Sequence, residues 1–150
     1  MANTFTNLLY HVIFSTKNRE PLISPDLKPR LYEYLGGIVR SEGGILIDIG
    51  GIPDHIHLLF KGKSDGTIAD VLRNLKSNSS KWVNALSETQ IHFSWQTGYA
   101  AFSVSESRLG AVRHYIQTQE EHHRRKTFQE EYIEFLQKHR IEYEEQYLWG

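Results

Sequence analysis

His55 and His57 are the residues whose types and spacing most directly indicate chemistry. They lie in segment 53–60, which reads as a turn followed by a short apolar strand. Side chains alternate between the faces of a strand, so both imidazoles project from one face, roughly 7 Å apart, while Ile56 points into a core. Two neutral imidazoles on one rigid strand form half of a divalent-metal site. Asp54 is either a turn residue or a partner that orients an imidazole.

Length and composition limit the class of protein. A chain of 150 residues is one domain's worth, and the absence of cysteine excludes disulfides and thiolate zinc sites. The N-terminus lacks the regions of a signal peptide, and no apolar run approaches the ~18 residues of a membrane span, so we expect a cytoplasmic protein. The net charge is −1, with six acidic against two basic residues in 128–150. We interpret this acidic tail as a solvated helix face.

The elements that must position the histidines follow an α+β order. Strands are predicted at 7–16, 45–50, 55–61, 91–95 and 99–105, and helices at 24–42, after Asp65 or Thr67, from Ser105, and at 127–140. The β-α-β-β-α-β order predicts a ferredoxin-like split βαβ antiparallel sheet with helices on one face. We expect the histidine pair on the other, open face.

Tyr115 and Gln119 lie on the predicted helix that begins near Ser105. Their i, i+4 spacing places them on one helical face, one turn apart. Spacing alone does not assign them a role, because a tyrosine at the border of a buried stripe commonly packs its ring and exposes its hydroxyl.

A set of motifs in a fixed order indicates a role for Tyr115 and Gln119. His55-Ile56-His57 is followed about sixty residues later by the Tyr115-x-x-x-Gln119 helix. Segments 10–17, 95–99, 101–105 and 119–123 accompany them. Together they resemble the single-tyrosine HUH transposases of small insertion sequences and their REP-associated relatives, over residues 8–132. One departure is visible: Ala100 stands where members commonly have glycine, which removes no catalytic group.

The resemblance implies a mechanism. Tyr115 would attack a backbone phosphate of single-stranded DNA, forming a 5′-phosphotyrosine link and freeing a 3′-OH, so that the same site can rejoin another end. His55, His57 and Gln119 would hold Mg²⁺ or Mn²⁺, which would polarise the phosphate. The sequence identifies no base for the phenol. It does not tell whether Tyr115 acts in the chain that carries it or in a partner.

The resemblance also implies partners. The family is dimeric, so we expect a homodimer that binds a DNA hairpin, without a membrane or a small-molecule substrate. Residues 1–126 would form the catalytic domain, including its C-terminal tyrosine-bearing helix, and 127–150 a helical extension of the same domain. Plausible DNA contacts are the cations Lys17, Arg19, Lys61, Lys63, Arg73, Lys76, Lys81, Arg124 and Arg125.

Two alternatives are weaker. A histidine-triad nucleotide hydrolase would need a third histidine at position 59, which is leucine. A domesticated relative could bind hairpin DNA without turnover, although the intact His55, His57, Tyr115 and Gln119 argue against it. We also expect His122 and His123 to diverge, because neighbouring helical residues point in different directions.

Overall fold

The elements follow the predicted order and end in three C-terminal helices. The computed structural model describes residues 3–86 and 91–150. Its strands are β1 (Leu8–Ser15), β2 (Ile45–Ile52), β3 (His55–Gly62) and β4 (Ala100–Val104). Its helices are α1 (Leu27–Ser41), α2 (Ile68–Ala85), α3 (Leu109–Gln117), α4 (Gln119–His122) and α5 (Phe128–Lys138), with 3₁₀ turns at Lys17–Arg19, Glu106–Arg108 and Glu145–Tyr147. No helix in the described ranges is long and apolar enough to span a bilayer.

The strands form one antiparallel sheet in the order β2-β3-β1-β4. This arrangement confirms the predicted α+β, ferredoxin-like fold. The pairing of β1 with β3 sets Ile13 opposite His57 and Ser15 opposite His55. The histidine strand is therefore central, and both of its edges are paired.

The first face of the sheet carries the larger core. Val12, Phe14 and the even-numbered residues of β3 pack there against α1 and α2. Leu31 and Leu35 of α1 are fully buried, as their i, i+4 spacing predicts. Thr67 caps α2 by accepting a hydrogen bond from the backbone N–H of Asp70.

The second face of the sheet is covered, and our expectation of an open face was wrong. Ile13 and Phe102 pack against an apolar stripe of α5 formed by Phe128, Tyr132 and Leu136. A capping box at Thr127 fixes the start of α5. An amphipathic helix must bury its stripe, and this sheet face offers an apolar surface next to the histidines.

The strand predicted at 91–95 is also absent. Trp95 makes only an isolated bridge to Thr16. The backbone N–H and carbonyl of Phe93 bond instead to the side chain of Asn84, at 2.7 and 2.8 Å. Phe93 and Trp95 pack on the first core without pairing as a strand, whereas Ile91 is exposed.

Candidate active site

Strand β3 presents His55 and His57 side by side on the second face. Both side chains are fully buried. His55 Nδ1 lies 2.7 Å from Asp54 Oδ1, and His57 Nδ1 lies 2.8 Å from His11 Nε2. Each Nδ1 atom is thus hydrogen-bonded, and each Nε2 atom points into the site, towards Gln119 or Glu131. Imidazoles that bind metals are commonly oriented in this way, by a hydrogen bond at the ring nitrogen that does not bind the ion.

Helix α3 brings Tyr115 to the same place within one chain. The half-buried Tyr115 ring lies 5.7 Å from the His57 ring, between centroids, and stacks on His122 at 4.4 Å. Gly50 of β2 permits this approach, because a methyl group there would stand 2.4 Å from the Ile116 carbonyl oxygen. The glycine therefore lets α3 lie directly on the sheet.

Gln119 reaches the histidines from the start of a new helical segment. Helix α3 ends at Gln117, and α4 begins at Gln119. The Gln119 amide still donates to the Tyr115 carbonyl at 3.3 Å, and its Oε1 lies 3.0 Å from His55 Nε2. The structure thus brings together all four residues singled out in the sequence: His55, His57, Tyr115 and Gln119.

Sequence reasoning missed Glu131, which lies at the centre of the site. It is fully buried on α5, and so the acidic tail is not wholly a solvated face. Its Oε1 lies 2.8 Å from His57 Nε2 and 3.4 Å from His55 Nε2, while its Oε2 accepts hydrogen bonds from the Tyr115 hydroxyl and from Gln119. The sequence does contain a signal for the burial of Glu131, which lies three residues after Phe128 and next to Tyr132, on the apolar stripe of the helix.

His123 was also missed. Its Nε2 lies 3.1 Å from Gln119 Oε1 and 3.2 Å from Glu131 Oε1, and its Nδ1 lies 2.8 Å from the Lys126 carbonyl oxygen. The neighbouring His122 points to the Tyr115 ring instead. The two residues diverge as expected, and only one of them enters the cluster.

Burial and charge oppose each other at these groups. Burial disfavours the imidazolium of His55, but hydrogen bonds with Asp54 and Glu131 outweigh it and raise its pKa to about 9. At His57 burial dominates and lowers the pKa. The surrounding histidines outweigh burial at Glu131 and hold its pKa below the ordinary range. Burial, with the Glu131 charge beside it, raises the pKa of the Tyr115 phenol.

The donor set suits a divalent metal ion. One ligand atom from each of His55, His57, His123 and Glu131 lies within 4.8 Å of the others. Two atoms bound to one ion at ~2.2 Å cannot be more than ~4.4 Å apart. The ligand atoms that lie farthest from one another would therefore need to move only slightly closer to bind one ion. Imidazole nitrogens with a carboxylate or amide oxygen are compatible with several divalent first-row metals.

Comparison with known proteins decides the family. Residues 4–119 match the family model described as IS200-like transposase. The chain belongs to this family. The chain is 26% identical over 125 residues to the ISDra2 transposase TnpA of Deinococcus radiodurans. The matched region covers 75% of this chain and 84% of that protein.

Solved structures share the fold. A Deinococcus radiodurans R1 protein provisionally assigned as a transposase superposes with a TM-score of 0.64 at 25% identity, over 79% of this chain and 95% of that one. A REP-associated tyrosine transposase bound to a REP hairpin gives a TM-score of 0.60 at 12% identity, over 79% of this chain and 70% of its own. The family model confirms the predicted transposase family, and the two solved structures show that the fold is shared.

The cations that we predicted to contact DNA fall into separate regions of the IS200-like transposase. Arg124 and Arg125 lie beside His123 and line a cavity of about 410 Å³. Three others, Arg73, Lys76 and Lys81, are on α2, across the sheet from the histidines. The remaining four follow β1 or lie at the end of β3: Lys17, Arg19, Lys61 and Lys63.

Several of these cations already have partners within the chain. The Arg73 guanidinium lies 2.8 Å from Asp70, and the Lys63 ammonium lies 3.5 Å from Asp65. Lys76 donates to the carbonyls of Thr97 and Gly98 at 3.0 and 2.8 Å, and burial lowers its pKa to about 8. A DNA contact by each of the nine cations stays a prediction.

Proposed function

We propose that this IS200-like transposase cleaves and rejoins single-stranded DNA with Tyr115 as the nucleophile. One observation carries the proposal: the Tyr115 hydroxyl and three predicted metal ligands of the same chain all contact one buried carboxylate, that of Glu131. The three ligands are His55, His57 and Gln119. A tyrosine beside a metal-ligand cluster is suited to cleave and rejoin a phosphodiester, because the phosphotyrosine link keeps the bond energy for the rejoining step.

The reaction is a transesterification. The Tyr115 oxygen bonds to the phosphorus as the bond from phosphorus to the 3′ oxygen breaks; the phenol loses its proton, and the leaving oxygen gains one to become the 3′-OH. In the metal-free site the phenol is protonated, because burial and the charge of Glu131 raise its pKa. A bound divalent cation would polarise the phosphate and offset that charge.

The surroundings of Tyr115 suit a polyanion. Its ring borders a cavity of about 230 Å³ that three cations, Arg108, Lys126 and Lys138, also line, together with one carboxylate, Glu134, which pairs with Lys126. On the other side of Lys126, the cavity of Arg124 and Arg125 reaches His123. We infer that the DNA backbone passes along these cations, since Arg and Lys position nucleic acid through its phosphates.

The finer features of the proposal rest on the resemblance and on ligand chemistry. Mg²⁺ or Mn²⁺ is the expected ion, and imidazole nitrogens favour Mn²⁺ of the two. A homodimer, a hairpin in the DNA substrate and a cytoplasmic location also stay predictions. The meeting of Tyr115 with His57 of its own chain favours cleavage in cis.

A denaturing gel tests the function. The protein is incubated with single-stranded DNA from its element's end and with Mg²⁺ or Mn²⁺, and a covalent adduct is expected that disappears with EDTA and in Tyr115→Phe. A folded wild-type protein that forms no adduct on these ends would reject the proposal. If that protein still bound the hairpin, the non-cutting alternative would replace it.

A mixing experiment separates cis from trans action. His57→Ala and Tyr115→Phe are each expected to be inactive. Cleavage in cis predicts that mixing the two variants restores no adduct, with oligomer exchange checked by differently tagged chains. Restored adduct would mean that partners share their sites.

A further inference from the structure

The family match ends at Gln119, but the charged centre of the site lies beyond it. Glu131 belongs to α5, twelve positions later in the chain. The capping box at Thr127 and the packing of Phe128, Tyr132 and Leu136 on the sheet fix this helix over the histidines. Residues outside the matched segment therefore contribute to the site.

A fully buried carboxylate needs compensation, because burying an unpaired charge is costly. Glu131 obtains it entirely from the site. Its Oε1 faces the Nε2 atoms of His57, His55 and His123 at 2.8, 3.4 and 3.2 Å, while its Oε2 bonds to Tyr115 and Gln119. Three converging ring nitrogens and one carboxylate oxygen form a donor set that could hold a divalent metal ion.

We propose that Glu131 is a metal ligand, through Oε1, in addition to His55, His57 and Gln119. The inference deepens the proposed function and rests on it for the ion's role. His123 also offers a ligand atom to this cluster. In this arrangement one carboxylate both binds the ion and contacts the nucleophile. Residues 127–150 are then part of the catalytic domain, since they supply a ligand.

Mn²⁺ binding to the full chain, without DNA, tests this ligand. Titration calorimetry and the electron paramagnetic resonance spectrum of bound Mn²⁺ are measured for wild type, Glu131→Gln and the control Glu134→Gln. Glu134 is on the same helix but more than half exposed, paired with Lys126. We expect Glu131→Gln to weaken Mn²⁺ affinity roughly 100-fold and to change the spectrum, and Glu134→Gln to stay within about twofold of wild type.

Unchanged Mn²⁺ affinity in folded Glu131→Gln would overturn the proposal. So would tighter binding, which would mean that the carboxylate only occupies the ion's place. If the variant does not fold, anomalous diffraction from Mn²⁺-soaked wild-type crystals decides: manganese ~2.2 Å from Glu131 Oε1 supports ligation. A separation beyond ~3.5 Å refutes it.

The outcome is separable from that of the proposed function. Loss of Mn²⁺ affinity in Glu131→Gln together with no DNA adduct in wild type would keep the ligand and reject DNA cleavage. An adduct in wild type with unchanged affinity in Glu131→Gln would keep cleavage and reject the ligand.

Discussion

Replacing Gly50 with alanine is expected to displace the helix that carries Tyr115. The added methyl group would lie 2.4 Å from the Ile116 carbonyl oxygen and 2.9 Å from Ile116 Cγ2. Real contacts of this kind rarely fall below 3.0–3.4 Å, so α3 must move by about 0.6–1.0 Å. Tyr115 precedes Ile116 and moves with it, away from His57 and Glu131.

The size of the effect follows from that displacement. A misplacement near 1 Å costs about 10²-fold in rate, because the nucleophile leaves the geometry for attack. Overpacking is also expected to lower the free energy of unfolding by about 1–3 kcal/mol. The assay is the single-turnover rate of adduct formation with Mn²⁺, beside chemical denaturation to verify the fold.

Gly110→Ala is the matched control. Gly110 lies on the same helix, and a methyl group there would meet no atom within 4 Å apart from its chain neighbours and the nearby backbone of its own helix. Alanine is favoured over glycine inside a helix by about 0.5–1 kcal/mol, so this variant should be slightly more stable and equally active. A folded Gly50→Ala protein that reacts at the wild-type rate would refute the proposed placement of Tyr115 on the sheet.

Three further predictions concern the site's stability and metal. Because the pKa of His55 is raised to about 9, its stabilisation of the metal-free protein should be complete below pH ~6.5 and lost as pH rises to about 9. The free energy of unfolding, measured by chemical denaturation, should fall by at most about 3 kcal/mol over this pH range. A wild-type pH profile that runs parallel to that of His55→Gln would contradict the prediction. Thr127→Ala removes the cap of α5 and should lower the free energy of unfolding by about 1 kcal/mol and weaken Mn²⁺ binding. Thr67→Ala removes the cap of α2 and should lower the free energy of unfolding by the same amount while leaving the Mn²⁺ affinity unchanged. Equal Mn²⁺ affinities in the two cap variants would count against a role for α5. Mn²⁺ at 100 times its dissociation constant should stabilise the protein by about 2.7 kcal/mol in thermal melts, reversibly with EDTA and not in His57→Ala.

Local patterns were sufficient to predict the central strand and its faces. The alternation of His55 and His57 with Ile56 and Leu58 predicts imidazoles on one face and a core on the other, and the structure has this arrangement. The βαββαβ order likewise followed from strand and helix periodicity. These features depend on near neighbours in sequence, which a single chain displays directly.

The rest depends on contacts between distant segments. The stripe of α5 predicts a buried helix face, but periodicity does not say which surface covers it. The sequence pattern predicts a solvated acid at Glu131, because lone carboxylates are seldom buried. The three histidines, together with Tyr115 and Gln119, make its burial tolerable. Segment 91–95 alternates like a strand, yet the Asn84 side chain takes up the backbone of Phe93.

Mapping the covalent adduct tests the central claim most directly. Wild-type protein is reacted with single-stranded DNA and Mn²⁺, treated with nuclease and trypsin, and analysed by mass spectrometry. We predict a 5′-nucleotide phosphate on the tryptic peptide 114–124, fragmenting at Tyr115. An adduct on any other residue, or none on folded protein that binds Mn²⁺, would contradict the assignment of Tyr115 as the nucleophile.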